Sequence, residues 1–161
     1  MKEGLPVKYL SPINEPFWIW TGGQEGCHYE PDETIKLLEM FATEMQKRNS
    51  PYKLSGPENG QMNWGYYAYV EKFFESEILN SFCDTYSGHS YWMDGPDALE
   101  EKTAVGKKFK EEYPDKKYEM SEWCELPLQI DSTTIDSGIR MAKIRTTIRI
   151  NPISAEPSFS A

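Results

Sequence analysis

The sequence predicts an α/β chain of parallel strands with helices packed outside them, in about four βα units. Three observations carry this. Short β-prone runs alternate with helical patterns along the 161 residues. No two runs are joined by a hairpin signal, so the intervening helices return the chain to the same end and the strands lie parallel. Each run also ends, on its C-terminal side, in polar residues of unusual chemistry, as at the ligand-binding end of a parallel sheet.

The first run, Val7 to Ile13, is apolar and β-prone. Pro31 then stands at a first helical position, followed by Ile35, Leu38, Phe41, Ala42 and Met45 at spacings of three and four, the period of a buried helix face. The second run, Tyr52 to Leu54, sits between Pro51 and the Gly56-Pro57 pair. Tyr69, Phe73, Phe74 and Ile78 predict a second helix, and Phe82 to Tyr86 a third strand leading into Gly88. Ala98 to Tyr113 predicts a third helix, stopped by Pro114. Lys117 to Met120 is the fourth run, and Asp131 to Lys143 the fourth helix, with Ile135, Ile139 and Ala142 on one side.

The composition excludes several classes of function. A formal net charge of -9 leaves no basic surface for a nucleic acid. Lys107, Lys108 and Lys110 are followed by Glu111 and Glu112 and read as a solvated helix face. No apolar run approaches the ~18 residues of a membrane span, and no signal peptide is visible at the N-terminus. Cys27, Cys83 and Cys124 form neither a disulfide framework nor a CxxC pair, and with His28 and His89 they make a poor metal pattern, so no metal and no cofactor are expected. Gly22 to Gly26 lacks the spacing of a phosphate-binding loop and contains an acid. No obligate protein partner is evident. Aromatics make up 14% of the chain, which fits either a tyrosine-rich core or a cleft whose flat rings stack on sugars.

The strand ends carry the chemistry: Asn14-Glu15-Pro16, then Gly56-Pro57-Glu58-Asn59-Gly60-Gln61, then His89-Ser90-Tyr91-Trp92, then Ser121-Glu122-Trp123-Cys124. Two carboxylates at two strand ends suit glycoside cleavage, in which one acid protonates the leaving oxygen and the other attacks the anomeric carbon or activates water. Pro16 biases Glu15 toward extended backbone. Taken singly, either tripeptide also fits an exposed turn.

In order and spacing the motifs become specific. Tyr9-Leu10-Ser11-Pro12-Ile13-Asn14-Glu15-Pro16 resembles the fourth barrel strand of glycoside hydrolase family 30, a clan A family, and Gln24-Glu25-Gly26-Cys27 resembles a loop of its galactanase-like branch. Gly88-His89-Ser90-Tyr91-Trp92 resembles strand six, and Met120-Ser121-Glu122-Trp123 strand seven. The resemblance implies part of a (β/α)8 TIM barrel, about strand four to helix seven. It implies a retaining enzyme acting on a β-linked oligo- or polysaccharide, with β-1,6-galactan the first guess and xylan, β-1,6-glucan and glucosylceramide-like substrates open. By the same resemblance Glu15 would be the acid/base and Glu122 the nucleophile. Asn14 would bond the sugar 2-hydroxyl, Tyr91 would hold Glu122, and His89 would line the subsite. Trp18, Trp20, Trp92 and Trp123 are candidate stacking platforms, and Glu58 is either a substrate ligand or a loop carboxylate. The parent protein would be secreted, periplasmic or at the cell surface.

A full (β/α)8 barrel typically needs ~250 residues, so the isolated chain is expected to be inactive. A non-catalytic carbohydrate-binding or structural remnant is the alternative. Residues 1–143 read as the partial catalytic domain. Residues 144–161 read as an atypical tail, frameshifted or simply divergent, with Arg145 and Arg149 but one acid, Glu156, and one aromatic, Phe159.

Overall fold

A computed structural model describes residues 4, 6–93, 96–124 and 133–150. The chain is mixed α/β with parallel strands in two sheets. Strand β1 (Tyr9–Leu10) pairs with β2 (Lys53–Leu54), and β3 (Pro57–Asn59), β4 (Thr85–His89) and β5 (Lys117–Glu122) follow in the second sheet, every pairing parallel. Only Ser55 and Gly56 separate β2 from β3. Ser55 N–H donates to Leu10 O at 3.0 Å and Gly56 O accepts from Ser87 N–H at 3.1 Å, so one stretch of chain joins both sheets. The Gly56–Pro57 peptide is cis.

Helix α1 (Pro31–Lys47) returns the chain from β1 to β2. It starts where the sequence predicts, with proline in its first turn, Asp32 and Glu33 near the positive end of the dipole, and the Glu33 carboxylate accepting from Glu30 N–H at 3.0 Å. Ile35, Leu38 and Ala42 are buried and Met45 packs against the core. Phe41 departs from the expected stripe: it is exposed and lines a separate cavity with Leu37 and Tyr29.

The second helical region is not one helix. It runs as α2 (Met62–Gly65), a π-helical turn (Tyr66–Val70), α3 (Glu71–Glu75) and α4 (Glu77–Phe82). The wider π turn shifts the helical phase so that Tyr66, Tyr69, Val70, Phe73 and Phe74 are all buried. Ser76 breaks the helix with extended backbone and caps α4, its Oγ accepting from Leu79 N–H and donating to Glu39 on α1 at 2.6 Å.

Helix α5 (Pro96–Glu112) leads into β5, with Val105 and Phe109 buried. Its basic run is a solvated face, where Lys107 pairs with Glu111 at 3.9 Å and Lys108 with Glu112 at 3.7 Å. Helix α6 (Ile135–Ile150) continues past Lys143; Ile135, Ile139 and Ala142 face outward. The expected start of this helix at Asp131 and the residues after Ile150 lie outside the described residues.

Strand boundaries shift for physical reasons. The first run forms a ladder at only two residues, because Pro12 has no N–H to donate and Ser11 to Ile13 turn to line a cavity. Phe82 ends α4 and is not in a strand, while β4 extends to His89 and β5 to Glu122. Pro57, Glu58 and Asn59, expected in a strand-end loop, form a fully buried strand.

Tyr86 is the centre of the core. It is wholly buried, stands edge-on to Phe73 at 5.5 Å and Tyr118 at 5.0 Å, and brings its hydroxyl to 2.8 Å from Asn59 Oδ1 and 3.2 Å from Gly65 O. Gly65 must lack a side chain, since a Cβ there would lie 1.8 Å from Asn59 Nδ2. Tyr86→Phe leaves those buried acceptors short of a donor and is expected to lower unfolding free energy by about 1–2 kcal/mol, checked by denaturant melts. The aromatic excess thus divides: Tyr66, Tyr69, Tyr86 and Tyr118 build the core, and Trp18 and Trp92 are exposed.

Candidate active site

Alternation along β4 sorts its side chains. Tyr86 points to the helices, while Ser87 and His89 point to the opposite face with Glu58 and Glu15. Two bulges then aim acids at that face. Between β3 and β4, Pro57 pairs with Ser87 and Asn59 with Gly88, so Glu58 is the extra residue, held at φ +58°. Between β4 and β5, Gly88 pairs with Met120 and His89 with Glu122, so Ser121 and Glu122 both reach the cavity.

Glu15 follows β1, its N–H donating to Glu58 O at 2.8 Å. Its buried carboxylate meets His89, Oε1 to Nδ1, at 2.8 Å. His89 Nε2 lies 3.5 Å from Glu58 Oε2 and 3.9 Å from Glu122 Oε2. Tyr91 donates to Glu122 Oε1 at 2.7 Å, and its oxygen is 3.5 Å from Cys124 Sγ. Oxygens of Glu15 and Glu122 stand within 4.8 Å of each other. Glu122 is half exposed and borders an open cavity of about 410 Å³, which Asn14, Glu58, His89 and Ser121 also line.

The environment fixes charge. Burial disfavours a cationic His89, but its bonds to Glu15 and Glu58 and the charges of Glu122 and Glu58 outweigh burial and raise its pKa to about 9. Burial likewise disfavours ionised Glu58, yet His89, Ser121 and Ser87 hold its pKa below the usual carboxylate value. Burial, with hydrogen bonds to Cys124 and Glu122, raises Tyr91 far enough to keep it a neutral donor. Glu15, His89 and Glu122 are the one group among the described residues with donors grouped as metal ligands would be. A protonated His89 has no lone pair to give a metal.

Backbone strain concentrates here. Among the described residues, four non-glycines have positive φ: Glu15, Glu58, Trp92, and Asn49 just beyond the end of α1. Such conformations cost on the order of 1–3 kcal/mol each and persist where the surroundings over-determine them. Trp92 uses its strained backbone to hold an exposed ring edge-on to Trp18 at 5.4 Å. Trp18 in turn abuts Glu15 across Gly60, where a Cβ would lie 2.5 Å from Trp18 Nε1 and 3.1 Å from Glu15 Oε1. Trp123 is half-buried beyond Glu122, and Trp20 is half-buried with its ring N–H unpartnered. Ser87 and Ser121 donate to Glu58 and Ser55 braces Ser87; no motif marks these partners, and Ser87 is signalled only by its two-residue offset from His89.

Parallel strands that converge on two opposed carboxylates beside an open cavity have the construction of a glycoside hydrolase. The chain belongs to O-glycosyl hydrolase family 30, whose sequence model matches residues 1–151. A crystal structure of a conserved exported protein from Bacteroides fragilis is similar over 96% of this chain, with a TM-score of 0.77 and 21% identity, a likeness of fold. The chain spans 37% of the length of that protein. No curated protein matches the chain.

Proposed function

We propose that this chain is the central part of a (β/α)8 barrel in a retaining β-glycoside hydrolase, with Glu122 as nucleophile and Glu15 as acid/base. One observation carries this: Glu15 and Glu122 oxygens within 4.8 Å of each other, beside an open cavity. Double displacement needs the carboxyl groups ~5–5.5 Å apart, whereas inversion leaves ~6.5–9.5 Å for a water. Glu122 attacks the anomeric carbon as Glu15 protonates the departing oxygen. Glu15 then takes a proton from water, which releases the sugar with its original anomeric configuration.

The other residues serve these two. Tyr91 donates to Glu122 Oε1 and orients the carboxylate, leaving Oε2 for attack. Asn14 lines the cavity from the Glu15 side, where it bonds the sugar 2-hydroxyl. Trp18 and Trp92 offer stacking faces next to Glu15, the side on which the leaving sugar sits. The galactanase-like loop, Gln24 to Cys27, favours β-1,6-galactan as substrate.

The test is proton NMR of the first product released by the complete enzyme, from β-1,6-galactan and then from xylan and β-1,6-glucan. A β-hemiacetal formed first supports the mechanism, and an α-hemiacetal formed first rejects it. Tyr91→Phe removes one hydrogen bond to a charged group and is expected to lower kcat by about 10-fold or more, with KM little changed in steady-state assays.

A further inference from the structure

Double displacement uses two acids, yet the site holds three. Glu58 is buried, and its oxygens are already engaged: Ser87 donates to Oε1 at 2.8 Å, Ser121 donates to Oε2, and His89 Nε2 stands 3.5 Å from Oε2. Ser87 is itself braced by Ser55 at 2.7 Å. Three partners occupy most of the roughly four lone-pair sites of a carboxylate, so a sugar hydroxyl would have to displace one. His89, by contrast, touches both reacting acids, Glu15 through Nδ1 at 2.8 Å and Glu122 at 3.9 Å from Nε2.

We propose that Glu58 is a positioning residue: anchored by Ser87 and Ser121, it holds the His89 ring so that one nitrogen fixes Glu15 and the other faces Glu122, setting the gap between the two reacting carboxylates. The consequence for turnover rests on the glycosidase reading; the link from Glu58 to His89 does not. The groups that face His89 are Glu15 after β1, Glu58 on β3, Glu122 on β5 and Tyr91 after β4, whose ring is 5.8 Å away and whose hydroxyl is committed to Glu122. Burial by itself would leave the ring neutral. A neutral ring turns one nitrogen into an acceptor facing a carboxylate, and the two repel. The Glu58 charge therefore keeps both nitrogens as donors.

The test is a pH titration of the histidine ring resonances by NMR in the 161-residue chain, which needs no substrate. The chain has two histidines, and His28, exposed beside Glu30, is the internal control. His89 is expected to titrate near 9 in the wild type. Glu58→Gln should lower that midpoint by about one pH unit or more, a tenfold change in proton affinity, with His28 unmoved. Glu58→Asp, which keeps the charge, should restore most of it. Should Glu58→Gln fail to fold, Ser121→Ala carries the test, with a smaller change in the same direction. A wild-type His89 that titrates near 6.5, or one unmoved by both variants, overturns the proposal.

In the complete enzyme Glu58→Gln should lower kcat by about 10-fold or more, with KM changed less than about twofold. A raised KM with kcat intact would make Glu58 a substrate ligand and overturn its positioning role. A wild type that cleaves no glycoside counts against the glycosidase reading, while the titration still decides the Glu58–His89 link.

Discussion

Glu122→Gln is expected to reduce turnover by on the order of 10⁴-fold or more while leaving the fold and substrate affinity nearly intact. Glu122 ends β5 with its side chain 51% exposed, so an amide of the same shape removes little packing. The amide oxygen can still accept from Tyr91, which donates to Oε1 in the native site. What disappears is the anionic oxygen that, in the proposed mechanism, attacks the anomeric carbon to form the glycosyl-enzyme. Turnover, a thermal melt and calorimetric binding of the substrate together check this. A variant that melts with the wild type, binds as well and does not turn over is the expected result. A loss of turnover that only follows unfolding, or turnover reduced less than about 10-fold, would remove Glu122 from the nucleophile's role.

The second large effect is on stability against pH. The folded-state pKa of His89 is raised from 6.5 to about 9, so the native state binds a proton more tightly than the unfolded chain. That stabilisation is fully present below about 6.5 and is lost as pH rises through about 9, a difference of about 3 kcal/mol. Glu58 works in the opposite window. Its lowered pKa adds stability above the usual carboxylate range, which is lost as acid protonates it. Stability is therefore expected to be greatest between the two windows and to fall on the alkaline side as His89 loses its proton. Denaturant melts from pH 6 to 10 check this, with His89→Gln flattening the alkaline slope. A wild-type slope equal to that of His89→Gln would show that the buried His89 carries no such linkage.

The parts of the fold set by local chemistry were legible in the sequence. Pro31 and the three-and-four spacing from Ile35 mark α1, and Pro114 marks the end of α5 within two residues. Phase was harder to read. One π turn at Tyr66–Val70 moves every later residue around the helix, and no propensity announces it. Phe41 fits the apolar period yet turns to another cavity, because a stripe wide enough to cover a core includes positions at its edge.

At the site, the resemblance names Glu15, His89, Tyr91 and Glu122, whereas taken alone the short motif around each of the two reacting carboxylates fits a surface turn better than a catalytic role. Glu58 shows why the rest stayed hidden. Its role depends on a bulge and a positive φ, features of pairing between strands far apart in sequence. The same is true of Ser121, which reaches Glu58 only because β5 slips by one residue against β4. Serines in strands look like ordinary polar positions until their partners are known.

In the proposed mechanism Glu122 attacks the sugar while Glu15 handles the proton. The most direct test incubates the complete enzyme with an activated 2-deoxy-2-fluoro glycoside of the sugar it cleaves, which slows release of the glycosyl-enzyme, and maps the modified peptide by mass spectrometry. One sugar per active site is expected, esterified to Glu122 and absent from the Glu122→Gln variant. A label on Glu15 or Glu58 would contradict it, as would steady turnover of the native substrate with no label at any carboxylate.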